Sequence, residues 1–148
     1  MEDFVPYELA LKLKEKGFRE KCLAYYDVED NVGLLYNTQY SDDLCPCQYT
    51  DLLVSYNSGD IVSNLDDSGN CIDAPTISQV LKWLKKEKQI VFGIGPMQEM
   101  DCNYLGWCIT IYTVDDNGYG LSWKEELYYD SDESAAIAGI KYAIDNLI

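Results

Sequence analysis

The sequence contains no histidine among its 148 residues. That removes the commonest general base, proton shuttle and metal ligand at once. Ser–His and Cys–His nucleophile pairs are excluded with it. Chemistry built on carboxylates, lysine or thiols remains open, but no signature for it is visible. Long apolar runs are also missing. None approaches the ~20 residues that a helical membrane span requires, so no membrane partner is expected. The segment from Met1 to Pro6 has neither a basic start nor an apolar stretch of the export type. Reduced thiols and a cytoplasmic setting are the expectation.

Positive charge is scarce, and it is unevenly placed. No Lys or Arg lies between Tyr25 and Pro75, where ten acids occur: Asp27, Glu29, Asp30, Asp42, Asp43, Asp51, Asp60, Asp66, Asp67 and Asp73. The basic residues gather instead at Lys12–Lys21 and Lys82–Lys88. A net charge of -15 repels DNA, RNA and anionic lipid, so a charged partner should be a basic protein rather than nucleic acid. Such a charge also keeps a protein in solution without any partner. Asp42, Asp43, Asp66 and Asp67 are the candidate interaction surface. The sequence assigns no oligomeric state.

The length suits one domain, residues 1–148, with an ordinary hydrophobic share. A first helix is expected over 6–16. Pro6 fits its first turn, Val5, Leu9 and Leu13 form an apolar stripe, and Gly17 can close it with Phe18 folding back. Cys22–Tyr26 and Val32–Tyr36 read as strands around a polar turn, and Tyr49–Tyr56 as a third. A second helix over 76–88 is capped by Thr76 with Gln79. It carries Ile77, Val80, Leu81 and Leu84 on one face and Lys82, Lys85, Lys86 and Lys88 on the other. Ile90–Ile94 reads as a strand. Trp107–Val114 alternates, with Trp107, Ile109 and Ile111 on one side. A hairpin turn at Asn117-Gly118 leads to Tyr119, Leu121 and Trp123 as one apolar face. The last helix, near 132–147, is expected to open at Asp130 and to use Ile137, Ile140, Ile144 and Leu147. The order implies an α+β fold, a mainly antiparallel sheet with about three helices packed on it.

Four motifs invite chemistry and none meets its requirements. Cys45-Pro46-Cys47 could share a soft metal with Cys71 or with Cys102 and Cys108. The one-residue spacing, however, suits neither the usual zinc module nor a redox pair. Asp66–Asp73 is acidic with a glycine, but lacks the ligand spacing and distal Glu of a calcium loop. Gly93-Ile94-Gly95 lacks the third glycine and following helix of a dinucleotide loop, and reads as a strand end. Glu125 and Glu126 are strand neighbours that point to opposite faces, so they are not a catalytic pair.

The segments Pro6-Tyr7-Glu8 to Lys16-Gly17-Phe18, Ala74-Pro75-Thr76 to Leu84, and Tyr128-Tyr129-Asp130-Ser131 with Gly139-Ile140-Lys141 carry a resemblance. Together they are similar to a family of small uncharacterised acidic α+β proteins of gut-bacterial genomes, often borne on prophages or mobile elements. About half of the chain takes part; residues 27–73 and 97–105 do not. These motifs mark helix starts and core faces, so the resemblance implies a fold and a bacterial cytoplasmic context. It implies no activity, cofactor or catalytic residue.

The expectation is therefore a non-enzymatic accessory or protein-binding domain with an acidic face, using no cofactor and no metal. The alternatives are a carboxylate- or thiol-based enzyme or metal-binding protein, and a nucleic-acid mimic that blocks a DNA-binding protein.

Overall fold

The computed structural model describes residues 3–27, 33–36, 38–40, 49–51, 71–101, 103–124 and 128–148. The elements run α1 (Tyr7–Glu15), β1 (Ala24–Asp27), β2 (Gly33–Tyr36), β3 (Thr38–Tyr40), β4 (Tyr49–Asp51), β5 (Cys71–Ala74), α2 (Ile77–Lys88), β6 (Ile90–Gln98), β7 (Tyr104–Asp115), β8 (Gly118–Lys124) and α3 (Asp132–Asn146). The fold is α+β, and every strand pairing among the described residues is antiparallel. Among the described residues the strands form three sheets, β2-β1-β5, β3-β4 and β6-β7-β8. The chain gathers into two compact units, one of Phe4–Thr76 and one of Met1–Asp3 with Ile77–Ile148.

In the unit Phe4–Thr76, α1 follows its sequence pattern. Val5, Leu9 and Leu13 are buried, with Ala10 beside them. Pro6 precedes the helix, and its carbonyl accepts from the amides of Leu9 and Ala10 at 2.9 and 3.0 Å. The end is a two-bond closure. Phe18 N donates to Leu13 O at 2.9 Å and Gly17 N to Lys14 O at 3.2 Å, with Gly17 at φ +92. Phe18 is fully buried, as the fold-back requires. Beneath the helix lies the face of Ala24, Tyr26, Ile72 and Ala74, all buried. The Tyr26 hydroxyl donates to Val5 O at 2.7 Å and so ties the central strand to the start of α1.

The strand β5 has no counterpart among the expected elements. It is four residues long and contains Asp73, and short acidic segments carry little strand signal. Neighbours settle its state: Cys71–Ala74 pairs along the whole of β1, Tyr25 opposite Asp73.

In the second unit, α2 and α3 lie against β6, and α3 also against β7. α2 buries Ile77, Val80, Trp83 and Leu84, while Leu81 is half-buried. Trp83 was not among the expected core residues. Lys88 lies 5.2 Å from its ring centroid, so the lysine shields the indole from above. Lys82, Lys85 and Lys86 are exposed, as the pattern indicates. Strand β6 continues past Ile94 to Gln98, with Gly95 opposite Cys108 and Pro96 opposite Trp107. Gly93-Ile94-Gly95 is thus mid-strand and not a strand end. Proline is tolerated because β6 is the outer strand of its sheet.

The β7–β8 hairpin departs from expectation in two ways. Its central residues are Asp116 and Asn117, with Asp115 paired to Gly118. Asn117 N donates to the Asp115 carboxylate at 2.8 Å, and Gly118 takes φ +112. The Asp115 side chain fixes the turn one residue earlier than an Asn-Gly pair would, and the glycine supplies the left-handed step at its end. The register then shifts between Ile111 and Tyr112, which face Trp123 and Leu121 and leave Ser122 as the extra residue. The expected apolar face Tyr119–Leu121–Trp123 is therefore split. Trp123 stays with Ile111 on the helix side and stacks on Tyr142 of α3 at 4.5 Å and 14°. Tyr119 and Leu121 fall on the opposite side, 72% and 61% exposed.

α3 begins at Asp132 as expected, but its cap lies one residue later than Asp130. Ser131 is the cap, accepting from Ser134 N at 3.1 Å, and Asp130 lies outside. Its buried stripe is Ala135, Ala136, Gly139, Ile140, Ala143 and Ile144, with Ile137 and Leu147 half-buried. Small residues bring the helix close to the sheet. A Cβ on Gly139 would overlap the Ile109 side chain and stand 2.8 Å from the Phe92 ring.

Candidate functional site

The candidate surface residues Asp42, Asp43, Asp66 and Asp67 lie outside the described residues, as do Cys45, Cys47, Cys102, Glu125 and Glu126. What can be built from the residues upward is a pocket of about 300 Å³ inside the second unit. It lies where the first turns of α2 and α3 meet β6 and β7. Its walls are Ile77 and Leu81 of α2, Ile94 of β6, Trp107 of β7 and Ala136 of α3. Asp3, Ser78, Asp132 and Glu133 supply its polar edge.

Each side chain is there for a local reason. The Ile77 amide, one of the first N–H groups of α2 that no helical carbonyl can reach, donates to Asp3 O at 3.0 Å. This bond holds Asp3 over the start of the helix. Asp132 and Glu133 occupy the first turn of α3, where the helix dipole favours acids. Trp107 is fixed through its backbone, which exchanges two hydrogen bonds of 2.9 Å with Tyr129. That exchange depends on Gly106, which is buried at φ +128 and where a Cβ would stand 2.9 Å from Tyr129 O. Only glycine fits this conformation and this approach. Leu105 is the extra residue of a second register shift, opposite Met97 and Gln98, and the shift sets the turn of the chain into Gly106 and Trp107.

The sign of the pocket follows from simple magnitudes. Two helix N-termini contribute about half a positive charge each, while the edge carries three carboxylates, so roughly two negative charges remain. Among the described residues, no lysine or arginine lines it. Among the described residues, no hydrogen bond or ion pair engages the carboxylate of Asp3, Asp132 or Glu133. No group of three Asp, Glu, Cys or His side chains among the described residues could hold a metal ion. The pocket thus combines a negative rim with an apolar, aromatic floor.

A second concentration of titratable groups lies in the unit Phe4–Thr76. Asp73 is fully buried, an uncommon state for a carboxylate, and it engages a partner. Cys22 is buried, and its thiol donates to Glu20 O at 3.5 Å. Burial pushes the Cys22 thiol well above its ordinary range, and the negative charges of Asp73 and Glu20 push it further. A thiol held protonated is a poor nucleophile and a poor metal ligand. Burial likewise raises the phenol of Tyr25, helped by Cys71 and Asp27, and that of Tyr26. Burial thus keeps these groups neutral in the fold. Cys108, half-buried on β7, donates from its thiol to Gly95 O at 3.4 Å across the strand pair.

Sequence reasoning missed Asp3, Trp107 and Ala136 as neighbours. Asp132 and Glu133 were legible only as a helix start. No spacing rule connects residue 3 with residues 107 and 132–136, because the pocket is assembled from five separate segments. No protein family, curated protein or solved structure matches the chain at a significant level. No helix among the described residues is long and apolar enough to cross a membrane.

Proposed function

We propose that this protein is a non-enzymatic binding domain whose partner is a basic protein. The observation that supports the reading is the pocket of the second unit, whose ionisable lining residues, Asp3, Asp132 and Glu133, are all acidic. The net charge of -15 acts in the same direction over a longer range, raising the encounter rate with cationic partners. Lack of histidine and the suppressed ionisation of Cys22 weigh against acid–base and thiol catalysis. A bacterial cytoplasmic setting, the context implied by the family resemblance, belongs to the same reading.

The test is binding of a lysine-rich peptide to the full chain at low and high salt, with a glutamate-rich peptide of equal length as control. The lysine-rich peptide should bind and lose at least tenfold in affinity as salt rises, because screening shortens the reach of the field. The glutamate-rich peptide should not bind. A variant with Asp42, Asp43, Asp66 and Asp67 each replaced by Asn should bind the basic peptide more weakly. Affinity that is unchanged by both salt and the variant would remove the acidic surface from the explanation.

A further inference from the structure

We infer that the pocket beside Trp107 is a receptor for one lysine or arginine side chain of the basic partner. This inference rests on the binding-domain reading and assigns it a place. Three features of the pocket select that ligand, and each excludes a different competitor. The volume of about 300 Å³ stands at the lower end of ordinary ligand pockets, enough for one extended side chain but small for a dinucleotide. The walls of Ile77, Leu81 and Ala136 are apolar, so the ligand needs an aliphatic stem, and a bare inorganic cation would leave them wet. The rim of Asp3, Asp132 and Glu133 outweighs the two helix N-termini, so the head of the ligand is positive.

Trp107 joins the two halves of this chemistry. An indole face accepts the methylene stem by contact and attracts a cation within about 6 Å of the ring. The molecule already uses the same pairing internally, where Lys88 lies 5.2 Å from the ring of Trp83. The backbone of Trp107 is held by its bonds to Tyr129 and by the buried Gly106, and the half-buried residue lines the pocket. The carboxylates do not converge as a metal site would require. Separate carboxylates instead suit a hydrogen-bonding head, whose several N–H donors point in different directions toward different acceptors.

The experiment uses the full chain labelled for NMR and three probes: Nα-acetyl-lysine methylamide, its uncharged isostere Nα-acetyl-norleucine methylamide, and putrescine. The lysine probe should shift the Trp107 indole and Ala136 amide signals, with an affinity at least tenfold above that of the norleucine probe. Asp3→Asn alone and the pair Asp132→Asn with Glu133→Gln should each reduce that preference. Ala136→Phe should fill the pocket and abolish the shifts, while the spectrum of the unit Phe4–Thr76 stays unchanged. Equal shifts from the lysine and norleucine probes, or shifts confined to other surfaces, would overturn the proposal. Putrescine binding tenfold more tightly than the lysine probe would overturn the protein side chain as the source of the cation. If the lysine-rich peptide still binds in a salt-dependent way to Ala136→Phe with undiminished affinity, this pocket falls and the binding-domain reading survives. If that peptide fails to bind the unaltered chain at all, the reading itself falls.

Discussion

Cys22, Tyr25 and Tyr26 hold their protons more tightly in the folded chain than in the unfolded one, because ionising them would place charge in or beside the core. Their contribution to stability is therefore full below the ordinary thiol and phenol range, about pH 8.5 and 10, and declines as pH rises through it. A urea midpoint that is level near neutrality and falls above about pH 9 is the expected outcome. A midpoint that holds to pH 11 would contradict the burial argument. The same feature predicts that Cys22 resists iodoacetamide under native conditions and reacts once urea unfolds the chain. Peptide mapping reads this directly, and prompt native labelling of Cys22 would show that the thiol is accessible. The Tyr26 hydroxyl adds a specific loss, since its 2.7 Å bond to Val5 O needs the phenol proton.

At the scale of elements, α3 against its sheet offers the sharpest test. Glycine inside an exposed helix costs about 1 kcal/mol relative to alanine, so Gly139→Ala would ordinarily stabilise. Here the new Cβ overlaps Ile109 and crowds Phe92, and overpacking a filled core costs about 1–3 kcal/mol. Gly139→Ala should therefore lower the thermal midpoint by several degrees, and a rise would show that the helix has room to lift. This contact also marks the limit of what the sequence makes legible. Val5, Leu9, Leu13 and Gly17 announce α1 because a single stripe and a single cap define it. Ile77, Val80 and Leu84 do the same for α2. Gly139 is silent, because its meaning lies in Ile109 and Phe92 on strands far away in the chain. The shift at Ser122 is silent for a similar reason: alternation marks Tyr119, Leu121 and Trp123 as one face, and only the partner strand shows the added residue. β5 is too short and too acidic to stand out before β1 is laid beside it. The candidate pocket was the least legible part, since Asp132 and Glu133 read only as a helix start and Trp107 only as one side of an alternating strand.

For the whole molecule, the net charge of -15 acts on folding and on binding with opposite signs. Like charges brought together on folding repel, and salt screens that repulsion within a Debye length of about 10 Å at 0.1 M. Moderate sodium chloride should accordingly raise the thermal midpoint. Over the same range it should weaken binding of the lysine-rich peptide. Measured side by side, the two curves should run in opposite directions. A midpoint that falls with salt would mean that attractive pairs dominate the charge balance and that the acids are matched by cations across the folded surface. The ion pair of Lys86 with Glu87 at 3.0 Å is exposed on both sides and contributes little to that balance.

The bond from the Ile77 amide to the Asp3 carbonyl has a further consequence in time. A ribosome releases Asp3 before Ile77, with the whole of 4–76 between them. The nascent chain thus carries an acidic rim residue that waits for a helix not yet made, then for Trp107, and finally for Asp132 and Glu133. The pocket joins residues far apart in the chain, Asp3 with Trp107, Asp132 and Glu133, and closing contacts of that kind is slow. On the proposed reading, cation capture is accordingly a property of the finished protein, since Asp3, Ile77, Trp107, Asp132 and Glu133 must all be in place.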